Sequence, residues 1–442
     1  MENETLAILM FVALIGLLVI GFQVAFALIA VGTAFGWLLL GDRVGIQLAT
    51  IIQDAGSQFL LTAVAPFILM GTVLERSGIA ERLFRVVQMW VGGLPGGVAL
   101  TAMLMAAMIA ATTGIVGAVE VMIGMMAIGS MQRLGYRNDL IAGTICAGGS
   151  LGTMIPPSLV LIVYASVANM SVGKLFAAAM LPALLMVLMF LGYIAIRCMI
   201  QPPRIPETED PEREVIPFGR KLWLTVIGLL PAVALIFAVL GTILRGIATP
   251  TEAASVGALG TVLLAWAYGR LNVSMMLESL RTTLRLTSMI LLIVVGGSMF
   301  SSVFRRLGGN ELVRGLVDNA QLEPIMLILV LLTIVFVAGF LLEWVSVLLI
   351  CLPIFVPLLA SYGIDPIWFA MLTFIILQTS YLTPPMAPSI FYLKGIAPSG
   401  MTTRQMYLGV LPFILCQLAV FFLVLFFPGL ATWLPEVIVT GF

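Results

Sequence analysis

Apolar runs long enough to cross a bilayer follow one another along almost the entire chain. Of its 442 residues, 61% are hydrophobic and only 10% are charged, and the mean hydropathy is +1.17. A soluble domain would carry charges at roughly a quarter of its positions. Because the runs match the thickness of a bilayer core, the sequence predicts an all-α polytopic membrane protein that is embedded in lipid.

Composition also excludes several classes of function. The chain contains no histidine, which excludes histidine metal sites, histidine proton relays and Ser-His-Asp catalysis. Its net charge is zero, so nothing indicates a nucleic-acid partner. No span contains a nucleophile–base pair, and we predict that the protein is not an enzyme. Four cysteines without CxxC spacing are expected to be buried apolar side chains: Cys146, Cys198, Cys351 and Cys416.

The first half of the chain, residues 1–200, is a succession of apolar segments. They are about Thr5–Ile20, Gln23–Leu40, Phe59–Leu74, Val98–Met131, Leu140–Ala168 and Leu175–Ile200. The fourth is too long for one span and is interrupted near "ATTG". This predicts a re-entrant helical hairpin over about 98–131. A charged segment, residues 201–221, is expected to form a cytoplasmic linker.

The second half, residues 222–442, repeats this order of segments. They are about Leu222–Leu244, Glu252–Tyr268, Leu286–Phe304, Pro324–Leu359, Pro366–Leu393 and Met406–Phe427. The fourth is again too long for one span and is interrupted near "AGFLLEW". A second hairpin is therefore predicted over about 324–359.

Each half contains a pair of adjacent prolines inside an apolar segment. Pro156 and Pro157 lie in "GTMIPPSLVLIVYA", and Pro384 and Pro385 lie in "YLTPPMAPSIFYLKG". A proline removes a backbone donor and blocks the carbonyl one turn earlier. In hydrocarbon, the freed polar groups must be satisfied by other parts of the protein. We therefore predict broken helices over about 140–168 and 366–393, each shielded from lipid by a hairpin tip.

Ordered matches between the halves predict an internal repeat. Aligning Pro156 with Pro384 also aligns Tyr164 with Tyr392. Further matches pair Arg76, Gly78 and Glu81 with Arg306, Gly308 and Glu311, and Lys174 and Pro182 with Arg404 and Pro412. One such match could arise by chance, but an ordered series at a nearly constant offset indicates duplication.

The distribution of Lys and Arg predicts the orientation. With the N-terminus outside and both hairpins re-entrant, most basic residues face the cytoplasm, including Arg133, Arg137 and those of the linker. The first hairpin then opens to the cytoplasm and the second to the exterior. The two repeats are accordingly predicted to be inverted, with both termini in the periplasm.

Inverted repeats with broken helices place binding sites near the membrane midplane. Polar residues beside each break suit that role: Gly148, Gly149, Ser150, Gly152 and Thr153 in the first half, and Gln378, Thr379, Ser380 and Thr383 in the second. The hairpin tips add Thr112, Thr113, Gly114 and Gly339. Because no carboxylate lies beside either break, we expect a neutral cage of hydroxyl and carbonyl oxygens that binds a hard cation. The alternative is that these small residues only allow close helix packing.

Three acidic residues near the apolar segments need separate interpretations. Glu120 and Glu343 follow the two hairpin tips, where each could bind a cation or a proton, or cap the N-terminus of a half-helix. Glu252 lies in "ATPTEAA", in which Thr249 is predicted to be the N-cap and Glu252 the acid of a capping box. This structural role accounts for the presence of Glu252, so a role in binding or transport is not needed to explain it.

Over nearly its whole length, the sequence resembles the large membrane (M) subunit of tripartite ATP-independent periplasmic (TRAP) transporters. The motifs that carry the resemblance are "GTMIPPSLVLIVYA" followed by "SVGKLF", "GIATPTEAASVG" and "YGIDPIWFAMLTFIILQTSYLTPPMAPS". The resemblance implies a sodium-driven importer of organic acids in the bacterial inner membrane, with an elevator mechanism and a fold of the ion-transporter superfamily. It also implies two protein partners, a small four-helix membrane subunit (Q type) and a soluble periplasmic substrate-binding protein (P type).

The resemblance further implies sites for two sodium ions. The first would be formed by Thr112, Thr113, Gly114, Gly149, Ser150, Gly152 and Ile155, and the second by Gly339, Ser380, Thr383 and Met386. Candidate substrate or ion contacts between the breaks are Glu343, Thr153, Pro156, Pro384 and Thr379. The chain departs from the family pattern at the first tip, where many members have Ser-Gly-Ser. It also has Glu343 and Ser380 where many members have Asp and Gly.

Other classes of protein remain as alternatives. A stand-alone sodium-coupled carboxylate symporter or an ion antiporter could have the same architecture and would need no binding protein. A channel is disfavoured, because paired broken helices form an occluding site rather than a continuous polar pore. The combined motifs favour the tripartite system.

Overall fold

The computed structural model describes residues 3–114, 116–203, 217–384 and 386–440, in which α-helices are joined by short turns. These residues contain no β-strand. The first half comprises α1 (Asn3–Ile20), α2 (Val24–Leu40), α3 (Val44–Ser57), α4 (Phe59–Thr62), α5 (Val64–Arg76), α6 (Ile79–Val91), α7 (Gly97–Thr113), α8 (Val116–Arg133), α9 (Asn138–Ser150), α10 (Leu159–Ala168) and α11 (Val172–Ile200).

The second half comprises α12 (Phe218–Gly228), α13 (Leu230–Leu244), α14 (Pro250–Ala267), α15 (Val273–Arg306), α16 (Gly309–Asn319), α17 (Pro324–Leu341), α18 (Trp344–Ser361), α19 (Pro366–Leu382), α20 (Pro388–Lys394), α21 (Thr403–Phe426) and α22 (Gly429–Thr440). Among the described residues, six helices are long and apolar enough to cross a membrane, or seven if α12 and α13 count as one bent span. The predicted all-α polytopic membrane fold is thus confirmed.

The apolar runs located the spans but missed several other helices. Helices α3, α6, α16 and α22 were not predicted. The first three carry polar or charged residues through their length, so they do not form uninterrupted apolar runs. Helix α15 begins at Val273 rather than near Leu286, because its first turns are polar. Most of the predicted linker lies outside the described residues, and its last part, from Phe218, is helical.

The predicted span Leu222–Leu244 is bent by 43° between α12 and α13. Pro231 lies at the start of α13 and has no N–H to donate to the carbonyl of Ile227, one turn earlier. The Tyr268 hydroxyl donates to that carbonyl instead, at 2.5 Å. The bend therefore has an identifiable cause and a satisfied backbone.

Both halves contain a helical hairpin, a broken helix and a long helix in the same order. Helices α7 and α8 pack against each other as a hairpin, and so do α17 and α18. Each hairpin is followed by a broken helix, α9 and α10 in the first half and α19 and α20 in the second. Gly78 and Gly308, which the repeat aligned, both adopt the left-handed conformation between paired helices, with φ of +68° and +77°. Inversion of the two halves across the membrane stays a prediction.

The hairpins connect the two halves through reciprocal contacts. The first hairpin packs through α8 on α9 of its own half and on α20 of the other half. In the second half, α17 packs on α19 while α18 packs on α10. Each hairpin thus contacts the first arm of its own broken helix and the second arm of the other. The functional region is built from both halves.

Candidate binding site at the paired helix breaks

The first break is stabilised by Ser158, which sequence reasoning did not assign to the site. Its hydroxyl donates to the carbonyl oxygens of Gly152 and Thr153, both at 3.0 Å, and accepts from the backbone N–H of Val160 at 3.3 Å. Ser158 is therefore the N-cap of α10 and also pairs carbonyls of the interrupted turn. This shows how the break satisfies its own backbone inside an apolar region.

The first hairpin tip contacts the first break. Gly114 ends α7 with φ of +60°, a conformation that glycine adopts without strain. A Cβ atom at this position would come within 2.9 Å of the backbone nitrogen of Leu159, the first residue of α10. The side chains of Thr112 and Thr113 lie outside the described residues.

The remaining residues predicted for the first sodium site lie along the end of α9 and the following turn. The buried Ser150 hydroxyl donates to the Ala147 carbonyl at 2.8 Å and accepts from Gln417 Nε2 at 3.2 Å. The backbone N–H of Ile155 donates to the Leu151 carbonyl at 3.0 Å. Gly149 lies against the Glu120 side chain, which a Cβ atom would overlap.

At the second break, the structure brings together two of the predicted sodium ligands. Gly339 of the second hairpin lies directly against the Ser380 side chain, and a Cβ atom at Gly339 would overlap the hydroxyl. The Ser380 hydroxyl donates to the Leu377 carbonyl at 2.7 Å, and that of Thr383 donates to the Thr379 carbonyl at 2.7 Å. The Met386 side chain is 43% exposed, so any contribution to ion binding would come from its backbone. Pro385 lies outside the described residues.

The two breaks meet through a direct hydrogen bond. The Thr153 hydroxyl lies 3.3 Å from Gln378 Oε1, to which it donates, and 2.9 Å from the Ser150 carbonyl oxygen. Of the other candidate contacts, Pro156 is buried and Pro384 is exposed. The Thr379 hydroxyl donates to the Ile375 carbonyl at 2.7 Å.

Polar atoms without a hydrogen-bond partner within the described residues concentrate around the breaks. They include Glu120 Oε1 and Oε2, Thr144 Oγ1, Tyr164 OH, Ser346 Oγ, Gln378 Nε2, Ser389 Oγ and Gln417 Oε1. These atoms lie on the hairpins, on the broken helices and on α21. Buried polar groups are nearly always paired, so these atoms are available to a bound ligand or to ordered water.

The three acidic residues have different environments. Glu252 forms the predicted capping box with Thr249, so that prediction is confirmed. Glu343 is the N-cap residue of α18, but its side chain makes no capping hydrogen bond. Glu120 is fully buried, and neither carboxyl oxygen has a partner among the described residues. Glu343 thus has the helix N-terminal position of the capping alternative without a capping hydrogen bond, whereas Glu120 lies inside α8 and has neither.

Sequence reasoning also missed Tyr392, Ser389 and Gln417. The Tyr392 ring packs on Gly117 of the first hairpin, where a Cβ atom would come within 2.8 Å of the ring. The motifs "PPS" and "APS" each place a serine directly after a proline, and this signal could have identified Ser158 and Ser389. No pattern in the sequence indicated Gln417.

The oxygen atoms at the breaks are chemically suited to a hard monovalent cation. They are hydroxyls and backbone carbonyls held on interrupted helices and covered by hairpin tips. Within the described residues, no cluster of three or more Cys, Asp or Glu side chains could hold a transition metal. The four cysteines are free and buried, as predicted.

The membrane fold and the paired broken helices define a multi-pass membrane transporter. Residues 11–430 match the family model of the tripartite ATP-independent periplasmic transporter, DctM component. The chain belongs to this family and is the large permease component of a tripartite system. Such permeases are transport subunits rather than enzymes.

Relatives with named substrates resemble the chain over most of its length. It is 32% identical, over 396 residues, to the C4-dicarboxylate TRAP transporter large permease DctM of Pseudomonas aeruginosa, covering 88% of this chain and 89% of the relative. It is 30% identical to the sialic acid TRAP transporter large permease SiaM of Vibrio cholerae, covering 96% of both chains. The crystal structure of the Alcanivorax borkumensis YdaH transporter shares the fold, with a TM-score of 0.64, 15% identity, and coverage of 92% of this chain and 96% of that one.

Proposed function

We propose that the protein imports an organic acid across the inner membrane, driven by a sodium gradient. The observation that carries this proposal is the pair of helix breaks, each covered by a hairpin tip and joined by the Thr153–Gln378 hydrogen bond. Neutral oxygens at each break provide ligands for sodium, and the space between the breaks would receive the substrate. The two relatives are named for a dicarboxylate and for sialic acid, both organic acids.

The two proposed sodium sites use the residues that the resemblance implied. The first lies where Gly114 meets the start of α10 and includes the turn from Gly149 to Ile155. The second lies where Gly339 meets Ser380 and includes Thr383. Residues 148–158 and 378–389, which contain the two breaks, include no Lys or Arg. An anionic substrate would therefore be held by hydroxyls and by the positive ends of the half-helices.

The direction of transport follows from the energetics of the ions. Each net positive charge moved inward contributes ~2.3 kcal/mol per 100 mV of membrane potential. Two or more sodium ions for each monovalent substrate anion would thus support strong accumulation. In the proposed elevator mechanism, the hairpins and broken helices carry substrate and ions past a scaffold that contains α2, α5, α14 and α15, which pack together.

A Q-type small membrane subunit is proposed to enlarge this scaffold, and a P-type binding protein is proposed to deliver the substrate. Uptake into liposomes that contain this chain and its small subunit tests the whole proposal. Candidate organic acids would be supplied with and without an inward sodium gradient and with and without the binding protein. We expect uptake only when both are present. Uptake with sodium but without the binding protein would instead identify a stand-alone symporter.

A further inference from the structure

Glu120 is an acidic side chain with no neutralising partner in a fully enclosed position. Its relative exposure is 0%, and both carboxyl oxygens lack a hydrogen-bond partner within the described residues. None of the ion pairs among these residues involves it. A carboxylate that is buried alone is strongly unfavourable, so the group must either take up a proton or be neutralised by a bound cation.

The surroundings of Glu120 come from three elements of both halves. Glu120 lies on α8, next to Gly149 of α9, and glycine there leaves the space that the carboxyl occupies. Cys146, also on α9, is fully buried one turn before Gly149. From the second half, α20 brings Ser389 to the carboxyl group. Ser389 is itself 0% exposed, and its hydroxyl is also unpaired within the described residues.

The carboxyl oxygens and the Ser389 hydroxyl thus face each other as a group of buried oxygens that have no other hydrogen-bond partner within the described residues. A protonated carboxyl could use the Ser389 hydroxyl as its partner, whereas a charged carboxylate at this position needs a bound cation. A bound cation would neutralise the carboxylate and use the oxygens of both residues. Carboxylate and hydroxyl oxygens are ligands that hard cations prefer.

We propose that Glu120 and Ser389 bind a sodium ion at the contact between the first hairpin and both broken helices. This inference rests on the proposed sodium coupling and deepens it. The sequence predicted that only neutral oxygens bind the cation. In this proposal a carboxylate also binds one. Since its ligands come from α8 and α20, this ion stabilises the contact between the first hairpin and the second half of the chain.

The test measures sodium-dependent thermal stabilisation of the purified membrane complex. Sodium chloride would be titrated against choline chloride at constant ionic strength, for the wild type and for Glu120→Gln, Ser389→Ala and Glu252→Gln. Glu120→Gln keeps the shape of the side chain but removes its charge. We expect its apparent sodium affinity to fall at least ~10-fold, and that of Ser389→Ala to fall by less. Glu252→Gln is the control, because glutamine also fits a capping box, and it should respond as the wild type does.

Each contrary result has a distinct meaning. If Glu120→Gln lowers the melting temperature in choline but responds to sodium like the wild type, the carboxyl is structural and the ion site is refuted. If Glu120→Gln matches the wild type in every condition, the carboxyl is neutral and the inference is again refuted. A wild-type complex that does not respond to sodium, in stability or in uptake, would overturn both this inference and the proposed sodium coupling.

Discussion

At the scale of single residues, the site depends on glycines and hydroxyls that bring backbones and oxygens close together. Gly114 lies against the start of α10, and Gly339 lies against Ser380. Ser158 and Thr383 form local hydrogen bonds that keep the interrupted turns paired. The hydroxyl oxygens in these bonds retain lone pairs, so they can also accept a ligand.

Thr383→Ala should weaken the sodium dependence of uptake. Loss of one hydroxyl ligand to a cation costs about 1.4 kcal/mol or more, which corresponds to about a tenfold rise in the sodium concentration for half-maximal uptake. The measurement is a sodium titration of uptake in liposomes.

Thr333→Ala provides the matched control for this variant. Thr333 lies on the exposed face of α17, and its hydroxyl donates to the Leu329 carbonyl at 2.7 Å, the same local bond that Thr383 makes. We expect the control to keep the wild-type sodium activation curve. An unchanged curve for Thr383→Ala would remove this residue from the proposed site.

At the scale of elements, the broken helices and the crossing of α9 with α21 determine the shape of the site. The local sequence determines the breaks, because each contains prolines that prevent a continuous helix. The crossing depends on the tertiary structure, since the backbones of Gly143 and Gly409 touch although they come from different halves. Both features must be in place for the breaks to meet.

Replacement of both Pro156 and Pro157 by alanine should abolish transport. Alanine favours a continuous helix, which would close the gap between α9 and α10 and remove the carbonyls from the site. Uptake and cell-surface expression would be measured together. Pro324→Ala is the control, because Pro324 is the exposed first residue of α17, where a missing N–H has no consequence. A fully active double variant would show that the break has no role in transport.

Gly143→Ala should destabilise the protein by about 1–3 kcal/mol, because the added methyl group would overlap the Gly409 carbonyl of α21. Thermal unfolding in detergent is the measurement. Gly192→Ala is the control within a membrane helix, since nothing lies within 4 Å of a Cβ atom there. Equal stability of the two variants would mean that α9 and α21 are not in close contact.

At the scale of the whole molecule, the two halves depend on each other. Helix α8 packs on α20, and α18 packs on α10, so each hairpin contacts both halves. An ion pair between Arg76 and Glu278, at 2.5 Å, joins α5 to α15 across the halves of the proposed scaffold. The organisation is consistent with duplication of one helical unit, as the sequence repeat predicts.

Cysteine labelling should show that the two hairpins open to opposite sides of the membrane. The four native cysteines are buried, which keeps background labelling low. Arg133→Cys, at the end of the first hairpin, should react only from the cytoplasm, and Glu323→Cys, before the second hairpin, only from the periplasm. A membrane-impermeant maleimide applied to cells and to inverted vesicles makes the measurement. Labelling of both positions from the same side would refute the inverted topology.

The sequence by itself determined the membrane class, the hairpins, the breaks and the order of elements in the two halves. Length of apolar runs and the backbone chemistry of proline are local properties, so they can be recognised without knowing the fold. Amphipathic helices such as α3 and α6 were missed, because a helix with one polar face does not contain an uninterrupted apolar run.

Only the tertiary structure decided which residues of the two halves meet. The Thr153–Gln378 and Ser150–Gln417 hydrogen bonds join residues that are 225 and 267 positions apart. The approach of Ser389 to Glu120 likewise depends on where α20 lies against α8. Such contacts follow from the packing of whole helices rather than from local preference. The sequence identified the polar residues at the breaks, whereas the fold determined their partners.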